Sequence, residues 1–373
     1  MADLLIPIAI SSQLDITGEE RVHAAKYNTT ERAVFVPPPT PSPYLAVLTN
    51  EYIGVEGRPD TDYLSVYKND GSGFALFPMP GPPGQNGDAV AWSNNTTYLA
   101  HANGGGVNFY KRNPTEMTFL SGQPDINPGT VMRSCLFRPD DAHVAFGRQN
   151  RLYVYSRSGD TFTQILNMSG MSNDGLGALV ALTYNPAGTR LVTGAGGLAR
   201  VLDISGSSYT VNATAEAALA TMKGAGTTVQ TILYSPNGLY LAATNRNSLK
   251  LYQVSGATFV DISPSLSYDS FALKWSPDSS TIAFTNYASQ VIIYDVGTAS
   301  VTHTLTPSVS QPGAIAYSSD GSRLYVTCSP PFDTGAGIVV YNTTTWAEIP
   351  GEFISTNFMG YTYMHGLEYM EGV

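Results

Sequence analysis

One phrase recurs along this chain, and it constrains the fold more than anything else in the sequence. The stretch "LYSPNGLYLAATNRNSLKLYQVSG" (233–256) joins an apolar run ending in an aromatic, a Ser-Pro-Asn-Gly turn and two alternating runs. Aligned on that aromatic, related copies read "RAVFVPPPTPSPYLAVLT", "AVAWSNNTTYLAHA", "SCLFRPDDAHVAFG", "ALTYNPAGTRLVTG", "TILYSPNGLYLAAT", "ALKWSPDSSTIAFT" and "AIAYSSDGSRLYVT". The anchors are Phe35, Trp92, Phe137, Tyr184, Tyr234, Trp275 and Tyr317, about 41 to 50 residues apart after the first interval, a spacing typical of repeat architectures. A further run follows each copy, centred on Tyr67, Tyr110, Tyr155, Leu202, Tyr252, Tyr294 and Tyr341, and a weaker fourth run closes most units.

Period-two alternation broken by Pro-Asn-Gly, Pro-Ala-Gly or Ser-Asp-Gly is the pattern of short strands joined by tight turns. Such turns need the fixed φ of proline or the positive φ of glycine. A single four-stranded sheet of this size exposes two apolar faces and is not stable alone. Copies packed face to face in a ring bury those faces. The expected fold is therefore all-β, a seven-bladed β-propeller of four-stranded antiparallel blades over 32–350. Residues 1–31 lead in, and 351–373 form either a closing strand or a docking arm. One short helical insertion is expected near 214–224, with Thr214 as N-cap, 215–223 as helix formers and Gly224 as the stop.

The units resemble the blades of WD-repeat and YVTN-type propellers, and "SSDGSRLYVTC" (318–328) is close to the YVTN phrase. The Trp-Asp ending of a WD-repeat third strand is replaced by Tyr294-Asp295 in one unit and Leu202-Asp203 in another. The Gly-His pair of that family is missing, so its His–Asp network is carried over to no residue. The resemblance implies a scaffold, and scaffolds of this kind host unrelated activities.

Departures from the repeat mark where residues are spent beyond folding. The turns between first and second strands, and between third and fourth, are uniformly tight. The long segments belong to the opposite face: "NEYIGVEGRPDTD" (50–62) and "SPPFDTGAG" (329–337), in units that ring closure would make neighbours. Tyr52, Arg58, Asp60, Phe332 and Asp333 are there as a candidate protein-binding patch, against the alternative of two tolerated insertions. The C-terminal tail adds Phe358, Tyr361 and Tyr363. Its "HGLEYM" segment has the cadence of a first strand and would fasten the ring beside the first blade; the rival is an aromatic arm for another subunit.

Chemical motifs are sparse. His23, His101, His143, His303 and His365 have no metal spacing, and His365 and Glu368 would face opposite sides of a strand. "GAGGLA" (194–199) and "KGAGTT" (223–228) lack the strand-to-helix context of a phosphate loop. Cys135 and Cys328 fall in separate units and read as core thiols. The Asn-x-Ser/Thr asparagines at 28, 94, 95, 167, 212 and 342 read as turn residues. No cofactor or metal is expected, and a central channel would offer Arg133 and Lys274 among mostly uncharged side chains.

A formal charge of −10 without any Lys/Arg run argues against nucleic acid and anionic membrane as partners. The opening "MADLLIPIAI" lacks the basic lead of a signal peptide, which points to synthesis in a cytoplasm. Only 13% of residues are charged, about half the usual share, while Thr, Asn, Gly and Tyr are plentiful. These traits together suggest a non-enzymatic structural or protein-interaction module, most plainly a virion component such as a bacteriophage tail, collar or capsid accessory. The alternatives are a cytosolic scaffold of WD-repeat type and an enzyme or small-ligand binder using the central channel.

Overall fold

The computed structural model describes residues 44–51, 64–69, 74–79, 87–103, 106–121, 132–148, 150–171, 181–195, 198–222, 229–245, 248–264, 266, 270–286, 288–308, 312–328, 337–350, 354–355 and 362–370. They form an all-β propeller of four-stranded antiparallel sheets with very little helix. Six blades are each built from consecutive strands: blade one (87–119), two (132–169), three (181–211), four (229–261), five (270–305) and six (312–348). In blade six the short strand Ile354–Ser355 also pairs with Gly337–Asn342.

The remaining sheet is composite. Its strands Tyr44–Glu51, Leu64–Asn69 and Phe74–Phe77 are consecutive, but the strand that precedes them in the sheet is C-terminal, Thr362–Met370. That strand runs antiparallel to Tyr44–Glu51, with Tyr44 opposite Met370 and Leu48 opposite Gly366. His365 falls in the register irregularity between Gly366 and Met364. The strand also lies against the first strands of blades six and one, Pro312–Tyr317 and Gly87–Trp92.

This corrects the expectation of seven self-contained repeats: six are self-contained. Phe35, the anchor assigned to the first copy, lies outside the described residues, and the C-terminal strand occupies the first-strand place beside Tyr44–Glu51. A period-two pattern cannot say which end of the chain supplies a strand, because "RAVFV" and "HGLEYM" carry the same alternation.

The core lies between sheets. Blades one and two share Ala91, Phe109, Phe137, Phe146 and Phe162, with the Phe109 and Phe162 rings stacked at 3.7 Å. Leu99, Tyr110 and Met117, from the other face of blade one, pack with Val66 and Phe77 of the composite sheet. Each aromatic of this size contributes about 1.5–3 kcal/mol on burial, so every seam holds several such terms.

The one α-helix among the described residues, Ala213–Ala218, begins earlier than expected, and its N-cap is Asn212 rather than Thr214. Asn212 accepts from the Ala215 amide at 3.0 Å while its own amide donates to Asp203 at 2.7 Å. An asparagine fixed from behind in this way outcompetes threonine as a cap. Leu219 ends the helix and a 3-10 turn, Ala220–Met222, follows.

Candidate functional site

Most of the residues singled out for partner binding (Tyr52, Arg58, Asp60, Phe332, Asp333, Phe358 and Tyr361) lie outside the described residues. Tyr363 falls in the C-terminal strand, where its backbone stands opposite Asn50. Of the channel candidates, Lys274 is half-buried in the first strand of blade five, and Arg133 falls in a register irregularity of the first strand of blade two.

Most of the described turns link first to second or third to fourth strands, which the antiparallel order places on one rim. Their geometry explains the repeated phrase. In blade four the Ser235 Oγ donates to Asn237 Oδ1 at 2.7 Å and accepts from the Tyr240 amide at 2.9 Å. Gly238 then takes φ +72°, the left-handed region that glycine enters without strain. Ser276 with Asp278 and Ser318 with Asp320 repeat the device.

At two left-handed positions that are not glycine, the side chain joins two blades. Asp141 (φ +58°) is buried, and its carboxylate accepts from the Asn94 amide at 2.6 Å and the Asn95 amide at 2.9 Å in blade one. Ser279 (φ +64°) accepts from the Asn237 amide at 3.0 Å. The turn that carries Asp140 and Asp141 is thus half of an inter-blade clasp. Three sequon asparagines do turn work as expected: Asn95 accepts from Thr97, Asn212 caps the helix, and Asn342 accepts from Thr344 and Thr345. Asn167 instead lies within a strand.

Between successive blades this rim has gaps, and long side chains fill four of them. Between blades one and two, Lys111 pairs with Asp160 at 2.9 Å while the Tyr98 hydroxyl donates to the same carboxylate at 2.5 Å. Those two donors, Tyr98 first, hold the Asp160 carboxyl below its ordinary range. Between blades two and three, Arg138 pairs with Asp140 and donates to the Gly206 carbonyl at 3.2 Å, beside a His143–Tyr209–Tyr184 chain of hydrogen bonds. Between blades three and four, Arg190 donates to Asp203 at 2.8 Å and to the Gly256 carbonyl at 2.6 Å. Between blades four and five, Tyr240 stacks on Trp275.

The gap between blades five and six is open. Arg190 begins the second strand of blade three, and the residue in that place in blade five is the short Thr281. A cavity of about 480 Å³ is present, lined among others by Asp278, Asp295, His303, Tyr317, Asp320 and Trp346. Serine hydroxyls and backbone amides hold the Asp278 and Asp320 carboxyls below their ordinary range: Ser276 contributes most at Asp278 and Ser318 at Asp320. Arg323 adds a smaller electrostatic effect at Asp320. Asp295 accepts from the Thr298 amide and hydroxyl at 2.7 and 2.9 Å. Trp346 faces His303 with ring centroids 5.3 Å apart. Carboxylates tied up by several donors are weak bases, so this geometry suits binding of positive charge better than proton abstraction.

Elsewhere, His101 is 1% exposed, both ring nitrogens lack a hydrogen bond, and burial pushes its pKa down to about 4. Neither Cys135 nor Cys328 is in a disulfide, and burial raises Cys328 well above its ordinary range. Among the described residues no group of three His, Cys, Asp or Glu could hold a metal ion, and no helix is long and apolar enough to cross a membrane.

No family model matches this chain, and no curated protein matches it either. The WD-repeat and YVTN resemblance therefore stands for propeller architecture and not for family. Solved structures do match. A candidate 6-phosphogluconolactonase from Bacteroides fragilis superposes with a TM-score of 0.66 at 12% identity, over 88% of this chain and 98% of its own. A second from Bacteroides uniformis gives 0.67 at 10%, over 88% and 99%. The periplasmic gluconolactonase of Pseudomonas aeruginosa gives 0.63 at 11%, over 88% and 100%. At these identities the likeness is one of fold.

These neighbours correct the expectation of a non-enzymatic virion module. Propellers of matching extent bear lactonase names, and nothing in them points to a virus particle. The inference from abundant Thr, Asn and Tyr fails because Thr and Tyr suit strands and Asn suits turns in any all-β fold, so their abundance carries no information on role.

Proposed function

We propose that this chain is an enzyme-like propeller that takes a small sugar lactone in the channel framed by the first strands of its sheets. The supporting observation is the set of lactonase-named propellers whose fold extends over 88% of this chain and nearly all of each of theirs. This was the small-ligand alternative at the level of sequence. The reading takes the composite sheet as a seventh blade, so that a ring of seven surrounds one axis. Such a ring gives concave walls of fixed width, as a small-ligand site requires.

Charge narrows the substrate. With 29 acidic against 19 basic side chains, the long-range field disfavours a phosphorylated sugar and favours a neutral lactone. The reaction is ester hydrolysis: water adds to the lactone carbonyl, the ring C–O bond breaks, and the hydroxy acid leaves with release of a proton near neutral pH.

Base uptake in a pH-stat tests it, with glucono-δ-lactone and its 6-phosphate offered separately to the full chain. Enzyme-dependent opening of the neutral lactone, faster than that of the phosphate, is expected. Rates equal to the spontaneous ones, with no rise in melting temperature at high lactone, would end this reading.

A further inference from the structure

The occupied gap between blades three and four and the open one between blades five and six are built from equivalent positions. Arg190 stands opposite Asp203 in the sheet register, and Thr281 stands opposite Asp295. The next blade supplies the last residue of its first strand to each gap, Tyr234 in one case and Tyr317 in the other. The facing third-to-fourth turn carries Gly256 in the first gap and Thr343 to Trp346 in the second. What the second gap lacks is the cation. Asp295 and Asp278 form no ion pair among the described residues.

Tyr317 lines the cavity, is nine-tenths buried, and its hydroxyl makes no hydrogen bond, as is also true of the Tyr234 hydroxyl in the gap that Arg190 fills. A buried hydroxyl left unpaired is costly, and an incoming donor recovers that cost. The electrostatics agree. Burial pushes the Tyr234 phenol up to about 12, and the Arg190 charge beside it works the other way. Burial also pushes Tyr317 well up; the neighbouring Thr281 hydroxyl works the other way, and the charge of Asp278 adds to the rise.

We infer that the cavity between blades five and six binds a guanidinium group brought by another molecule, in the place that Arg190 fills between blades three and four. A planar fork of N–H donors matches a carboxylate, leaves a donor for a phenol oxygen, and can lay its face on Trp346 beside His303. An ammonium carries the charge but not the fork. The cavity's volume of about 480 Å³ accommodates the whole side chain. Free guanidines and the arginine of a peptide offer the same chemistry. This inference does not depend on the lactone reading, which concerns the channel.

Isothermal titration of the full chain tests it with agmatine as probe. Butylamine keeps a positive charge without the fork, and N-carbamoylputrescine keeps the shape and the terminal ammonium but replaces the guanidinium with a neutral urea. Saturable heat with agmatine is expected, at least about tenfold weaker for both controls and for Asp295→Asn. Thr281→Arg, which copies Arg190, should abolish agmatine binding and raise the melting temperature. If Thr281→Arg does not fold, Asp295→Asn and the two control ligands still decide. Acetyl-Gly-Arg-Gly-amide binding as well as agmatine identifies a peptide arginine as source; agmatine alone binding identifies a small guanidine; either upholds the class. No saturable heat up to about 50 mM, or equal binding by the urea isostere and by Asp295→Asn, overturns it.

Discussion

Blade four and the composite sheet have the same four-stranded topology but are assembled in different ways. Blade four is continuous, and its turns are pre-set by Ser235, Asn237 and Gly238 within a few residues. The composite sheet joins strands from opposite ends of the chain, with Leu45 opposite Tyr369. Forming a blade therefore closes only short loops, while forming the composite sheet waits until the rest of the ring has brought both ends together. Locally encoded sheets and one late, long-range seam give a molecule whose weak point is the seam.

The sharpest way to break that contrast is to remove 351–373. The composite sheet then loses its pairing to Tyr44–Glu51. The melting transition, followed by circular dichroism, should fall by at least about 10 °C and broaden. An unchanged, cooperative melt would show that the seam carries no stability. Phe109→Ala, at the seam of two self-contained blades, should cost about 3–5 kcal/mol in denaturant unfolding without broadening the transition.

Acid should act on one side of the comparison. His101 stands opposite Val90 in blade one and, by alternation, shares the strand face of Leu99, which packs on the composite sheet. Its folded pKa is about 4 against an ordinary 6.5, so the unfolded chain takes up the proton first. The contribution is intact above pH 6.5 and is lost as pH falls from 6.5 toward 4, by up to about 3 kcal/mol. His101→Phe copies Phe146 and Phe284, which hold the same register in blades two and five. It should flatten stability between pH 6.5 and 4; an unchanged slope would put the acid sensitivity elsewhere. The smallest effect is expected at Asp141→Ala, which removes the clasp on Asn94 and Asn95. A loss of about 1–3 kcal/mol is expected, partly offset in Asp141→Gly, which keeps the left-handed turn.

Much of the fold is legible in the chain because turn chemistry and period-two burial are local. Ser235, Asn237 and Gly238 specify a turn wherever they stand. The candidate cation site was less visible. Setting the second strands side by side as "YLAHA", "HVAFG", "RLVTG", "YLAAT", "TIAFT" and "RLYVT" shows Thr281 as the short opening residue among long ones. That signal acquires meaning only once the rim places each opening residue against the next blade's aromatic. The clasp at Asp141 is hidden for the same reason: nothing in "RPDDAH" says that a neighbouring blade brings two amides to it.

By itself, then, the sequence determined the blade: strand length, turn type, and which side of each strand is apolar. These follow from interactions within about fifty residues, which the order of side chains encodes directly. Tertiary structure decided which chain end completes the first sheet, which rim gaps are filled, and where a buried hydroxyl is left without a partner. Those outcomes depend on contacts between units distant in sequence, and repeats that look alike along the chain become unlike only when they are set against one another in space.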